Sequence, residues 1–254
     1  MRKTTTLFAG CILSAAVLTA TTAGADDDME TYKITITNLT PGQPIAPAMA
    51  ATHRSGMSFF EAGAAPSPEL AALAEAGNGK PMAALLLTTP GVSDAQVGTG
   101  GTGPGKTTTL MVTARRGANH VSVGAMLGNT NDAFIALRDV ALPRGSRHTV
   151  TYMADGYDAG SETNDESCNT VPGPACGGAA LSPEDSGEGF VHIHNGVHGI
   201  GGLSAAEYDW RNPVAKIVIE HMNEQRSRST ANRCMPHRFA FIFGAVNYFR
   251  KCRE

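Results

Sequence analysis

Apolar and polar residues alternate in several short runs of this chain, and the alternation predicts β-strands. In the first run Tyr32, Ile34 and Ile36 alternate with lysine and threonine before a Pro-Gly turn. When the pattern repeats every two residues, one set of side chains faces a core and the other set faces solvent. Runs of the same kind cover residues 108–114, 120–127, 134–140, 146–154, 190–194 and 214–221. About seven short strands separated by turns indicate an all-β sandwich.

Helical signals are confined to one stretch of the chain. Ser67 is a suitable N-cap for a helix that begins at Pro68, and Gly77 is a suitable stop. A second short helix is predicted over residues 81–87. The sequence therefore predicts an all-β domain with one or two short helices in its insertions.

The amino end has the pattern of an export signal. A basic start is followed by a mostly apolar run over residues 7–18 and by an Ala-Gly-Ala cleavage site that ends at Ala25. We expect a signal peptide over residues 1–25 and a periplasmic or secreted protein. A transmembrane anchor is the alternative, but Gly10 interrupts the run, which is shorter than about 18 residues. The mature chain is accordingly predicted to have no transmembrane span.

Composition and charge narrow the class of protein. Only 17% of residues are charged, and 29 glycines and 14 prolines argue for a loop-rich domain rather than a coiled coil. A net charge of −3 argues against a nucleic-acid partner. Neither a Gly-x-Ser-x-Gly elbow nor a His-Glu-x-x-His helix is present, so we expect a protein that is not an enzyme.

Charge also divides the chain near residue 222. Residues 26–222 have a net charge of −10, whereas residues 223–254 have a net charge of +5 and are rich in phenylalanine. We interpret residues 26–222 as one domain and residues 223–254 as a C-terminal tail of uncertain structure. The tail is either an extension outside the domain or an appendage that binds an acidic surface.

Four cysteines remain once the signal peptide and its Cys11 are removed. They allow three pairings in an exported protein. Cys168 and Cys176 enclose a short segment with two prolines and a glycine, which favours a local disulfide between them. Free thiols or a metal-binding pair are the alternatives, although the Cys-x-x-Cys spacing of zinc sites is absent.

Two groups of residues are candidate metal ligands. Asp132, Asp158 and Glu162 lie in glycine- and asparagine-rich loops after predicted strands, and their carboxylates suit Ca²⁺. His192 and His194 share one strand face, and a glycine turn can return His198 toward them, which suits Zn²⁺ or Cu²⁺. A structural role for the histidines, as hydrogen-bonded groups that shape a glycine-rich bend, is the alternative.

Several motifs occur in the order found in one extracellular family. The chain resembles the spondin N-terminal domain over about residues 31–222, and it is most similar to exported bacterial members. The motifs that support this resemblance are Tyr-Lys-Ile-Thr-Ile-Thr-Asn at 32–38, Asn-Asp-Ala-Phe at 131–134, Tyr-Asp-Ala-Gly-Ser-Glu at 157–162, His-Ile-His at 192–194 and Asp-Trp-Arg-Asn-Pro at 209–213.

The resemblance implies a C2-type antiparallel β-sandwich with Ca²⁺ bound near one end. By position, Asp132, Asp158 and Glu162 match the family's acidic motifs, although Glu162 stands where aspartate is commoner. The implied function is non-enzymatic recognition or adhesion, with an extracellular protein or glycan as partner. The alternative function is that of a periplasmic Zn²⁺- or Cu²⁺-binding protein that uses His192, His194 and His198.

Overall fold

A computed structural model describes residues 29–145 and 147–222. The predicted signal peptide with its cleavage site at Ala25, and the predicted tail over residues 223–254, lie outside the described residues. Among the described residues, no helix combines the length and the apolar character that crossing a membrane requires.

Nine strands and three helices make up the described chain. In chain order they are β1 Glu30–Asn38, β2 Met49–His53, α1 Pro68–Ala76, α2 Lys80–Thr88, β3 Val92–Val97, β4 Thr107–Ala114, β5 His120–Met126, β6 Ala133–Ala141, β7 Thr149–Asp158, β8 His192–Ile193, α3 Ala205–Tyr208 and β9 Ala215–Met222. All strand pairs are antiparallel. The predicted all-β class is therefore confirmed, and the finer C2-type assignment stays a prediction.

The strands form two layers that share β7. The strand order is β3-β2-β5-β6-β7-β9-β1-β4, with β8 paired to β7 outside this path. Residues 149–154 of β7 pair with β9, whereas residues 155–158 pair with β6. Because β7 passes from one layer to the other, its carboxyl end at Asp158 lies at the edge of the layer that contains β6 and β8.

Two apolar clusters lie on opposite faces of the β2-β5-β6 layer. The inner cluster fills the space between the layers with side chains such as Ile34, Ile219 and Ile135. The outer cluster packs α1 and α2 onto the other face through Leu73, Phe134 and their neighbours. Since this layer is covered on both faces, the strands in it lose the apolar-polar alternation of a half-exposed sheet.

The sequence pattern missed two strands, and double coverage explains the first of them. All five residues of β2 are buried, so the strand shows no period of two. β3 reads Val-Ser-Asp-Ala-Gln-Val and has too few apolar residues to be recognised. The strand predicted over residues 190–194 is only two residues long, and the strand predicted over 146–154 runs instead from 149 to 158.

The helices and the disulfide follow the sequence closely. Ser67 Oγ accepts a hydrogen bond from the Leu70 N–H, and Gly77 ends α1 in the left-handed conformation. The helix predicted over 81–87 is α2, and α3 is an additional single turn. The sulfurs of Cys168 and Cys176 lie 1.95 Å apart, so the predicted local disulfide is confirmed.

Candidate metal centre

The end of β7 and the segment that leads into β8 bring three potential metal ligands together. Asp158 is the last residue of β7, and its backbone pairs with His192 of β8. Glu188 lies four residues before His192. One ligand atom from each of these three residues lies within 4.8 Å of the others. This group could therefore hold a metal ion.

The hydrogen bonds of His192 show which of its ring nitrogens faces the carboxylates. Nδ1 lies 3.0 Å from the carbonyl oxygen of Ile193, which can only accept, so Nδ1 carries the proton of the neutral ring. Nε2 then presents a lone pair, at 3.6 Å from Asp158 Oδ1 and 3.9 Å from Glu188 Oε2. Two carboxylates that face one ring nitrogen at these distances attract positive charge, which either a proton on Nε2 or a bound cation can supply.

The spacing of these atoms matches the spacing of metal ligands. Zinc bonds nitrogen and oxygen at about 2.0–2.2 Å, so two ligands of a tetrahedral site lie about 3.4 Å apart. The distances of 3.6 and 3.9 Å are close to this value and too long for hydrogen bonds. In addition, the bond from Nδ1 to a backbone carbonyl is the second-shell contact that metal-binding histidines usually make.

Asn164 orients both carboxylates. Its Nδ2 donates to Asp158 Oδ2 at 2.6 Å and to Glu188 Oε1 at 3.1 Å. The Gly160 N–H also donates to Asp158 Oδ1 at 2.8 Å. These bonds fix the two acids side by side, although like charges repel. Because Asp158 is also buried, its pKa is raised above the usual range, an effect that a cation would oppose.

His194 lies on the other side of Asp158 and is held by a different set of contacts. Its ring lies against Trp210, with the ring centroids 4.9 Å apart. Its Nδ1 accepts the Gly196 N–H at 2.9 Å, so Nε2 carries the proton, 3.7 Å from Asp158 Oδ2. A protonated Nε2 cannot ligate a metal. His194 in this tautomer is therefore not a metal ligand, and its Nε2 is buried without a hydrogen-bond partner among the described residues.

The third predicted histidine, His198, lines the same pocket as His192 and His194 but is not one of the three residues whose ligand atoms converge. His198 is largely exposed, and its Nδ1 lies 3.9 Å from Glu166 Oε1. Glu166 itself accepts the backbone N–H groups of His198, Gly199 and Ile200, so it shapes the bend after β8. The structure thus brings His192 and His194 to the two oxygens of Asp158 and leaves His198 at the rim.

Of the three predicted calcium ligands, only Asp158 belongs to the converging group. Asp132 Oδ2 accepts the N–H groups of Ser161 and Glu162 at 2.8 and 3.1 Å and so closes the turn after β7. Glu162 Oε1 instead accepts the Ser182 hydroxyl at 2.7 Å. Burial and the charge of Asp158 raise the pKa of Asp132 to about 8, and burial raises that of Glu162 to about 7. The other oxygen of Asp132, Oδ1, is buried without a hydrogen-bond partner among the described residues.

Sequence reasoning missed Glu188 and Asn164. Both lie in the long irregular segment between β7 and β8, which has no periodicity. The one signal in the sequence was that Glu188 lies four residues before His192. The group lines a pocket of about 180 Å³ with Asn131, Asn195 and other polar residues, so an ion there would face open space on one side.

A second polar cluster resembles a catalytic triad but is closed to substrates. Ser122 Oγ lies 2.8 Å from His53 Nε2, and His53 Nδ1 lies 3.8 Å from Asp139 Oδ1. However, Nδ1 is 2.8 Å from the Arg54 carbonyl oxygen, so its proton goes there rather than to Asp139. Ser122 and His53 are 1% and 2% exposed. This cluster ties β2 to the bulge between β5 and β6.

No family model matches this chain, and no curated protein matches it. The resemblance to spondin N-terminal domains therefore rests on the sequence motifs alone.

Proposed function

We propose that this protein is an exported β-sandwich module that binds one divalent transition-metal ion through Asp158, Glu188 and His192. The observation that carries the proposal is the convergence of three ligand atoms, with His192 Nε2 facing the carboxylates of Asp158 and Glu188 at 3.6 and 3.9 Å. Ca²⁺ prefers oxygen ligands alone, whereas imidazole combined with carboxylate suits Zn²⁺ and its neighbours. Zn²⁺ is therefore the first ion to test.

The role we infer for the ion is to fix a binding surface rather than to catalyse a reaction. The ion would join Glu188, on an irregular segment, to Asp158 on a strand, and it would hold the segment against the sandwich. Phe190 and Ile193 lie beside it and are 44% and 49% exposed. An ordered segment with exposed apolar side chains is suited to contact with an extracellular protein or glycan. Export is supported by the signal-like amino end and by the disulfide.

Calcium-dependent recognition is the second candidate function, and one observation favours it. Asp132 Oδ1 is buried without a hydrogen-bond partner among the described residues. Together with the spondin-like motifs, this atom supports a Ca²⁺ site that includes Asp132 and Asp158. The two candidates differ in their ligands, since only the transition-metal site uses His192 and Glu188.

Thermal unfolding of the mature protein, first freed of metal with a chelator and then given one divalent ion at a time, tests both candidates. A ligand at 100 times its Kd stabilises the folded state by about 2.7 kcal/mol. For a domain of this size, about 2–4 °C per kcal/mol gives a rise of about 5–11 °C in Tm. We expect Zn²⁺ to produce this rise in the wild type and not in His192→Ala or Glu188→Gln.

Two histidine variants serve as controls. His148→Ala removes an exposed imidazole at the other end of β7 and should keep the Zn²⁺ response. His198→Ala should also keep the Zn²⁺ response. Loss of the response in this variant would instead support the predicted site that uses His192, His194 and His198. A response to Ca²⁺ alone that disappears in Asp132→Asn would establish the calcium site instead. No response to any divalent ion would refute metal binding at this end of the sandwich.

A further inference from the structure

An arginine-rich pocket lies at the end of the sandwich opposite the candidate metal centre. It is formed by the turn between β4 and β5, the connection between β6 and β7, and the start of β1, and its volume is about 340 Å³. Arg115, Arg116 and Arg144 line it. β6 and β7 run between the two ends, so this pocket is separate from the group around Asp158.

Positive charge is concentrated here in a domain that is otherwise acidic. Residues 29–222 contain 18 aspartates and glutamates but only 11 lysines and arginines. Four of these 11, namely Arg115, Arg116, Arg144 and Arg147, lie in the two loops that meet at the pocket. The one acidic lining residue is Glu30, whose Oε2 accepts the Tyr32 hydroxyl at 2.6 Å. The lining thus contains three arginines and one carboxylate.

The walls of the pocket are joined and carry a further donor. The Leu142 N–H donates to the Asn119 carbonyl at 2.9 Å, which ties the two arginine-bearing loops together. The side-chain oxygen of Asn119 accepts from His120 Nδ1 at 2.9 Å, so its amide NH₂ is left to donate. Guanidinium groups offer planar paired donors that match the oxygens of phosphate and sulfate.

We propose that this pocket binds a phosphate or sulfate group carried by a larger molecule. Arg116 and Arg144 approach from the two loops, Asn119 adds an uncharged donor, and the arginines exceed the single carboxylate in charge. The volume of 340 Å³ lies within the range of about 300–1,000 Å³ that is usual for ligand pockets, so it leaves room for part of the molecule that bears the anion. The binding requires no metal.

Calorimetric titration in EDTA, with the full mature protein, tests this proposal. The ligands are inorganic phosphate, inorganic sulfate, a sugar phosphate and a sugar sulfate, with chloride at matched ionic strength as the reference. We expect saturable binding of the esters that Arg116→Ala/Arg144→Ala weakens at least tenfold. The matched control Lys80→Ala/Lys106→Ala removes two exposed positive charges elsewhere and should change the affinity less than twofold.

The remaining outcomes decide the source of the anion or overturn the proposal. If the esters bind at least tenfold more tightly than the inorganic ions, the anion belongs to a larger molecule, as proposed. Equal affinities would identify a site for free anions and would overturn the proposal that a larger molecule carries the group. Absence of saturable binding overturns the site as a whole. An equal loss of affinity in the arginine and lysine double variants overturns it as well. Unchanged Tm values of both double variants exclude misfolding as the cause, because the four side chains are exposed.

Discussion

Gly160 connects the end of β7 to the metal-binding segment, and its replacement by alanine tests that connection. Gly160 has φ +67°, and a Cβ placed on it would lie 2.3 Å from the carbonyl oxygen of Phe190. Side-chain Cβ atoms do not approach other atoms within 3.0 Å, so the two backbones must separate by about 0.7 Å. Phe190 is two residues before His192, so the separation is transmitted to the candidate ligand.

The chain offers a matched control for the conformational part of the cost. Gly105 also has φ +67°, but a Cβ there meets no atom within 4 Å. Alanine in the left-handed region costs roughly 1–2 kcal/mol at either position. Overpacking adds about 1–3 kcal/mol at Gly160 alone. We therefore expect losses of about 1–2 kcal/mol for Gly105→Ala and about 2–5 kcal/mol for Gly160→Ala.

Urea unfolding monitored by circular dichroism measures both losses, and Zn²⁺ titration measures the effect on the site. Gly160→Ala should weaken Zn²⁺ binding, whereas Gly105→Ala, on a distant turn, should leave it unchanged. Equal losses of stability in the two variants would refute the steric contact with Phe190. A large loss of stability with unchanged Zn²⁺ affinity would show that the site does not depend on this contact.

Two further predictions concern His194 and the disulfide. Burial, with the nearby charges of His192 and His198, lowers the pKa of His194 to about 4. Between pH 6.5 and pH 4 the unfolded chain therefore binds a proton at this residue, whereas the folded chain does not. The stability that His194 contributes is thus complete above pH 6.5 and falls by about 3 kcal/mol toward pH 4. Urea unfolding in EDTA at both pH values should show a smaller fall for His194→Gln, and an equal fall would contradict the assignment. Replacing Cys168 and Cys176 by serine opens a loop with a sequence separation of 8, and chain entropy predicts a loss of about 2–3 kcal/mol. Unchanged urea midpoints of the oxidised wild type and the double variant would contradict that estimate.

The strands and helix that the sequence predicted are those with strong local signals. β1 alternates because one face meets the core and the other meets solvent. α1 has its N-cap, first-turn proline and terminal glycine in consecutive positions. β2 escaped prediction because helices cover the outer face of its layer and bury every residue. Burial on both faces is a property of the assembled layers, and local sequence does not report it.

The candidate metal centre was predictable only in part for a similar reason. His192 and Asp158 were candidates because their residue types and neighbours suggested ligands. Their assignment to one site with Glu188 depends on how a long irregular segment crosses the end of β7. The proton positions on His192 and His194 also follow from contacts with Ile193 and Gly196, which fix opposite tautomers on two similar residues. The spacing of residues along the sequence indicates neither the path of this segment across the end of β7 nor the tautomers of the two histidines.

The pairing of β1 with β9 has a mechanical consequence. The two strands are antiparallel, and Thr31 lies opposite Met222, so these residues are neighbours at the arginine-rich end of the sandwich. A force that pulls residues 31 and 222 apart would act across the ladder rather than along it. The hydrogen bonds would then break one pair at a time from that end, as in a zipper. Under tension the domain would open first beside the arginine-rich pocket, and the end that holds Asp158 would be the last to feel the load.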